Sequence, residues 1–449
     1  MKQLLFLAMT FAFIPGATAV AMTSKLAERA LVAGTFLSTA YLVDINFVSM
    51  EWYRGDTRGF EFGLTDWMTL SLLATMLFSP RWRAKSFSWF PPNSVLIGMY
   101  LFLAVISLFV AYVQVYAGFG LMKLVRALVV FIVAYNYLQD EDDLRFVVSI
   151  LAAIVAFEFL LVLEQRLSGI YRAHGTMPHS NTLASYINVI NMVFFALLLG
   201  CRERPALYGT VVAMGSLIVL ASCSRGAIVA MVLGYGLVVL LSYRHRVTAR
   251  KSMILLVLLV LSLPVLVKVG PALVERFLYA PEESGESRGL ANVAALAMAN
   301  DHLFGIGLNN YSHVINETSY IRFIDNPVDR GIVHNTFLLH ACEMGWAGLL
   351  AYLALTFNFL RLGYRAVVTS ASSLAATLAI GITTAIFVLT LQGSLEWVFR
   401  QTYITIEFFM LTGFLVALPK VSRAARRAFR IEQLKRQLSW QQAIPAYPS

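Results

Sequence analysis

Long apolar runs broken by short polar connections dominate this chain. They fall near 3–22, 30–50, 67–79, 95–117, 119–138, 146–163, 181–200, 206–222, 225–242, 252–267, 336–359, 367–391 and 402–418. Many approach the roughly 20 residues that a helix needs to cross a bilayer. They are continuous, whereas the strands of a membrane β-barrel alternate over segments of roughly 10 residues. Helices also satisfy their own backbone groups in lipid. The pattern predicts an all-α polytopic membrane protein with about 12, on the widest count 13, transmembrane helices. No internal repeat, low-complexity block or soluble domain interrupts it. The expected organisation is one membrane domain over 1–419 and a basic cytoplasmic tail over 420–449. Residues 1–22 read either as a signal peptide, with Lys2 and Gly16-Ala17-Thr18-Ala19, or as a first membrane helix; a retained helix is the favoured reading.

One stretch departs from the pattern. Residues 268–335 form a polar segment between two apolar runs, expected as a large extracytoplasmic loop carrying short helices. Leu290 to Ala299 reads as a helix lying against the membrane, with Arg288 at its start. Chemistry is expected where this loop meets the membrane surface, and His334 stands at that junction.

Composition agrees with the class. Only 13% of residues are charged, against about 25% in soluble proteins, and the mean hydropathy is +0.71. The net charge of +10 resides in short connections and in the tail. That is the positive-inside pattern of a membrane protein and argues against nucleic acid as partner. With the tail in the cytoplasm, 361–366, 243–251, 201–205 and 140–145 fall inside. Segments 51–66, 164–180, 222–225, 268–335 and 392–401 fall outside. Lys123 and Arg126 near the outer face, and Arg54 and Arg58 in the 51–66 loop, go against the scheme. Cys201, Cys223 and Cys342 have neither metal-ligand spacing nor the look of a disulfide framework.

Four polar constellations fall on the outer side. In Ser222-Cys223-Ser224-Arg225-Gly226-Ala227 a tight turn carries Arg225. An arginine at a membrane boundary has a partner or a pathway, or else snorkels to headgroups. Arg288 follows Ser287 and either serves function or pairs with Glu282, Glu283 or Glu286. His334 either acts or merely ends the loop, while Asn335 can cap the helix starting at Thr336. Gly345 and Gly348, spaced by three, would let another helix approach closely. The segment Arg172 to Asn181, with Gly175, Pro178 and His179, suits a turn feeding a helix. Asp329-Arg330 lies late in the loop. His340 reads as a core residue and Glu343 as paired within the bundle. Glu396 and Arg400 have the spacing of a helical ion pair. No carboxylate cluster suited to a divalent metal falls on the outer side.

These residues resemble the O-antigen ligase and polymerase superfamily of bacterial envelope glycan transferases. His334-Asn335, nine residues, then Gly345-x-x-Gly348 fits that family's signature. Ser224-Arg225-Gly226-Ala227 resembles its Ser/Thr-Arg turn. Arg288 with Asp301-His302-Leu303-Phe304-Gly305-Ile306-Gly307 resembles its loop pattern. Gly175 to Asn181 is similar to a further segment, with Pro178 and His179 in the opposite order. The resemblance covers roughly 170–400. It implies a glycan donor on undecaprenyl diphosphate, a glycan or lipid A-core acceptor, and an inner-membrane protein whose site faces the periplasm. On that reading His334 is the base, as its unperturbed pKa near about 6.5 allows. Arg225 and Arg288 grip the diphosphate; Asn335, Asn181, Arg172 and Arg330 bind or support. Transfer would invert the anomeric centre without metal or cofactor. The rival reading is a multi-pass flippase or transporter of lipid-linked glycan, for which paired repeats and broken midplane helices are expected; the sequence has neither. Ligase and polymerase differ in acceptor, and the residues leave that choice open.

Overall fold

The computed structural model describes residues 2–83, 85–278, 283–370 and 372–443. It is mostly helical, at 79%. In chain order the elements are α1 (Lys2–Thr23), α2 (Lys25–Ala40), β1 (Asp44–Ser49), β2 (Gly59–Gly63), α3 (Leu64–Phe78), α4 (Ser94–Val110) and α5 (Gln114–Tyr137). Then come α6 (Glu141–Leu167), α7 (Ser180–Gly200), α8 (Pro205–Ala221), α9 (Arg225–His245), α10 (Ala249–Leu278) and α11 (Glu283–Asp301). The last are α12 (Tyr311–Glu317), α13 (Thr336–Thr369), α14 (Ser373–Gln392) and α15 (Thr402–Ala443).

Among the described residues eight helices are long and apolar enough to cross a membrane: α1, α5, α6, α7, α9, α13, α14 and α15. Three more, α3, α4 and α8, are apolar but shorter. Such composition and length define a multi-pass membrane protein. The count of clear spans is below the predicted 12 or 13 because several apolar runs yield helices of only 15–17 residues. The 30–50 run also divides: its helix stops at Ala40, and Asp44–Ser49 becomes a strand paired antiparallel with Gly59–Gly63. That small sheet corrects the all-α expectation. β-branched and aromatic residues in Asp-Ile-Asn-Phe-Val-Ser suit a strand.

The bundle closes around α7, almost wholly buried and packed by α8, α9 and α14. Its polar residues find partners inside: Asn188 donates to the Ala227 carbonyl at 2.8 Å and Asn191 to the Tyr235 hydroxyl at 2.7 Å. Two of the four cations that contradicted the charge scheme are neutralised within the protein. Lys123 pairs with Asp56 at 3.0 Å and Arg126 with Asp66 at 2.6 Å. Paired, buried charges carry no topological signal of the kind loop cations do.

The polar segment is shorter and more structured than expected. α10 continues to Leu278, and α11 begins at Glu283, so Arg288 sits in its second turn rather than at its start. The alanine-rich face of α11, with Ala291, Ala294, Ala295 and Met298, is buried in a second core beside Tyr311, Val314, Leu339 and Cys342. The following turn docks into a break in α13. Gly345 has φ +70°, ψ 175°, which interrupts that helix. The freed carbonyls of Cys342 and Glu343 accept from Ile306 N–H at 2.8 Å and Gly307 N–H at 3.0 Å. Gly345 therefore admits a turn, with Leu303 O only 2.3 Å from where a Cβ would lie, and Gly348 meets Met344 of its own helix. The expected helix–helix role for this glycine pair is corrected accordingly.

Candidate functional site

The connection between α14 and α15 is the anchor of the site. Gly393 O accepts from Thr336 N–H at 2.7 Å, and the Thr336 hydroxyl donates to Glu396 O at 2.9 Å. The start of α13 is thus stapled to residues 393–396. Asn335 caps α13, accepting from Phe337 N–H at 3.0 Å and Leu338 N–H at 3.1 Å. His334, one residue before the cap, is left beside Glu396.

Three donors converge on that carboxylate. His334 Nδ1 lies 2.8 Å from Glu396 Oε2. Arg288 Nη2 lies 2.9 Å and Asn181 Nδ2 2.7 Å from Oε1. Arg172 extends the chain, donating to Asn181 Oδ1 at 2.8 Å and to the Ser222 carbonyl at 3.3 Å. Burial of Glu396 pushes its pKa up, but the hydrogen bond and charge of His334 and the charge of Arg288 outweigh it and hold the carboxyl below its ordinary value. An ionised carboxylate only accepts, so His334 presents Nδ1–H to it, and a neutral ring keeps its lone pair on Nε2.

The 172–181 segment is a built turn. Gln165 on α6 accepts from the N–H groups of His174 and Gly175 at 2.9 Å each, and Glu158 accepts from Thr176 N–H at 3.2 Å. His174 bonds back to Met177 O at 2.8 Å, so it serves the turn. Ala173 N–H donates to Ala221 O at 3.2 Å, which joins this segment to the turn before α9. In that second turn Cys223 adopts φ +53°, a left-handed conformation uncommon outside glycine. Arg225 follows as the first residue of α9, half-buried, and among the described residues no hydrogen bond or ion pair engages its guanidinium.

Two cavities meet here. The smaller, about 230 Å³, is lined by Arg172, Asn181, Arg225, Arg288 and Glu396. The larger, about 740 Å³, is lined by Arg54, Arg288, Asp325, Asp329 and His334. Arg288 belongs to both. The structure therefore gathers His334, Arg288, Asn181 and Arg172 into one network, with Arg225 facing the same smaller cavity. Arg330 stands apart: it donates to the carbonyls of Ile324 at 2.6 Å and Asp325 at 2.8 Å, and lines neither cavity. Of the acidic partners expected for Arg288, Glu282 lies outside the described residues; the partner observed is Glu396.

Glu396 is the residue that the sequence reading misassigned. Its expected partner, Arg400, instead contacts Asp56 at 2.7 Å and Glu343 at 2.7 Å in a buried cluster with Lys123. The helical spacing misled because the chain turns over 393–395 and bends at Glu396, and only Val398–Arg400 forms a short 3-10 helix. Gly393-Ser394 was the available signal for that break. Burial raises the pKa of Asp56, but Arg400 and Lys123 bring it below the ordinary value. This cluster ties the 50–58 loop under the 393–401 connection. Among the described residues no three His, Cys, Asp or Glu side chains gather as metal ligands.

A helical membrane protein with a cationic, histidine-bearing site at one end of its bundle is the class these features define. The family model of O-antigen ligase matches residues 209–353, a span holding Arg225, Arg288, His334, Gly345 and Gly348. The matched span is about a third of the chain, and over it the chain is similar to O-antigen ligase. Arg172, Asn181 and Glu396 lie outside the matched span. The comparison with curated proteins found no match.

Proposed function

We propose that the protein transfers a glycan from an undecaprenyl-diphosphate donor to an acceptor hydroxyl, on the periplasmic face of the bacterial inner membrane. The observation that carries this reading is the shared carboxylate of Glu396, which holds His334 and Arg288 at the junction of the two cavities. The donor diphosphate takes the smaller cavity, where Arg225 has an unengaged guanidinium and Arg172 and Arg288 add charge. Planar guanidinium forks suit phosphate oxygens. The acceptor takes the larger cavity, against His334.

The acceptor oxygen attacks the anomeric carbon and its proton passes to His334 Nε2. The bond from the anomeric carbon to the diphosphate oxygen breaks, and undecaprenyl diphosphate leaves with the electron pair. Direct displacement inverts the anomeric centre. Glu396 stabilises the imidazolium that forms, in the manner of a carboxylate behind a catalytic histidine. General-base help of this kind contributes typically about 10²–10⁴-fold. The arginines neutralise the leaving group without a metal ion, with Arg225 the least committed of them.

The test is a detergent assay of purified protein with lipid-linked donor and acceptor, with and without EDTA. Transfer unaffected by EDTA is expected; dependence on added Mg²⁺ would overturn the metal-free mechanism. A protein that moved the donor across a vesicle bilayer with its diphosphate bond intact would be a flippase instead. Gene deletion then separates the acceptors. Long unattached lipid-linked chains indicate a ligase, and accumulated single repeats indicate a polymerase.

A further inference from the structure

Three helices run from the candidate site to a second polar cavity. α7 begins beside Asn181, α9 begins at Arg225, and α14 ends at Gln392, all lining the smaller cavity of the site. Their other ends, at Gly200, at His245 and at Ser373, meet again around a cavity of about 660 Å³. These helices have 21, 21 and 20 residues. At 1.5 Å per residue that is about 30 Å, the thickness of a bilayer's hydrocarbon core. The second cavity therefore lies at the headgroup level of the opposite leaflet.

Its charge is unbalanced. Arg145, Arg202, Arg246, Arg250 and Lys251 face it against only Glu141 and Glu203, leaving an excess of three positive charges with His245 neutral. Both carboxylates are engaged, each by Arg145. Arg250 and Lys251 have structural work: Arg250 donates to Cys201 O at 2.6 Å at the end of α7, and Lys251 to Ser242 O at 2.6 Å and Arg246 O at 2.7 Å at the end of α9. The guanidinium groups of Arg202 and Arg246 have no hydrogen bond or ion pair among the described residues. The start of α14 also lines the cavity at Ser373 and Leu374. The first N–H groups of a helix lack intrahelical partners and favour anions. The Ser370 hydroxyl is a further polar group on the wall, buried and without a hydrogen-bond partner.

We propose that this cavity binds a phosphate group presented by an anionic phospholipid of that leaflet. Arg202 and Arg246 supply the free charge, and the α14 terminus with the Ser370 and Ser373 hydroxyls supplies hydrogen-bond donors. The cations that cap α7 and α9 add a fixed positive field behind them. Basic pockets between membrane helices recognise headgroups in this way. The inference stands independently of the catalytic reading, since it uses none of the residues assigned to transfer.

The test is native mass spectrometry of the full chain in nonionic detergent, titrated with phosphatidylglycerol or phosphatidylcholine, with and without inorganic phosphate. Phosphatidylglycerol should bind in preference to phosphatidylcholine. The Arg202→Gln/Arg246→Gln double variant should bind it about tenfold or more weakly, with an unchanged unfolding midpoint. Displacement by inorganic phosphate would support the same phosphate site and add a soluble source for its occupant. Equal binding of both lipids, or full binding by the double variant, would overturn the proposal. So would loss of binding in Arg225→Gln with retention in the double variant, because the lipid would then sit at the opposite face.

Discussion

Arg288 and His334 take opposite oxygens of one carboxylate: Arg288 Nη2 lies 2.9 Å from Glu396 Oε1, and His334 Nδ1 lies 2.8 Å from Oε2. The proposed phosphate-binding cation and the proposed base thereby share a fixed reference point. Glu396→Gln replaces one acceptor oxygen with a donor NH₂, so one of the two contacts must break. The predicted result is a folded protein with kcat reduced about 10²–10⁴-fold, the range of a lost general base, and a smaller change in donor KM. His334→Ala should lose at least as much without leaving the membrane. Steady-state kinetics of both variants check this; near-normal kcat in either rejects the assignment.

The same carboxylate predicts a pH dependence of stability. Its folded-state pKa is depressed by His334 and Arg288 despite burial. The stabilisation is therefore fully present above the ordinary glutamate value, about 4.3, and is lost as pH falls through the lower folded value. Between pH of about 5 and about 3 the unfolding midpoint of the wild type should fall more steeply than that of Glu396→Gln. Parallel curves for the two proteins would show that the contact is not formed in solution.

Two arginines should respond in opposite ways. Arg225 is half-buried and unengaged, so Arg225→Gln should leave the unfolding midpoint unchanged while lowering transfer about 10²–10³-fold, as loss of a charge-stabilising group does. Arg400 is buried between Asp56 and Glu343 at 2.7 Å each. Arg400→Leu strands the Glu343 carboxylate in the interior and leaves Asp56 to Lys123 alone, and should cost about 3–5 kcal/mol. Thermal unfolding of the two variants side by side, with transfer assays on whatever remains folded, separates the roles.

The legible part of this protein was the part set by local pattern. Apolar runs gave most helices within a few residues, because a bilayer demands length and continuity. Asn335 as a helix cap and Glu343 as an internal partner followed from position alone. What escaped was pairing between distant segments. Nothing local tells that Lys123 meets Asp56, or that Asp44–Ser49 leaves the helical pattern to pair with Gly59–Gly63. Glu396 was misread for the same reason: spacing implied a helix where the chain turns, and its real partners come from three other segments. The sequence offered the site's histidine and arginines through short motifs, but not the carboxylate that brings two of them together.

The break in α13 rests on one residue. Gly345 at φ +70° occupies a conformation that side chains rarely adopt, and an added Cβ would lie 2.3 Å from Leu303 O. Gly345→Ala thus meets both backbone strain and a clash with main chain that has no rotamer to change. The strain alone exceeds about 1 kcal/mol. The consequence should also be local. The 303–307 turn is bonded to the carbonyls that the break exposes, at 2.8 Å from Ile306 and 3.0 Å from Gly307. If α13 straightens through residue 345, those carbonyls return to the helix and the turn is released. Hydrogen exchange at Ile306 and Gly307 should accelerate in Gly345→Ala well beyond the change at the α7 core. Equal protection at 306 and 307 in the wild type and Gly345→Ala would mean that the turn is held by something other than the break.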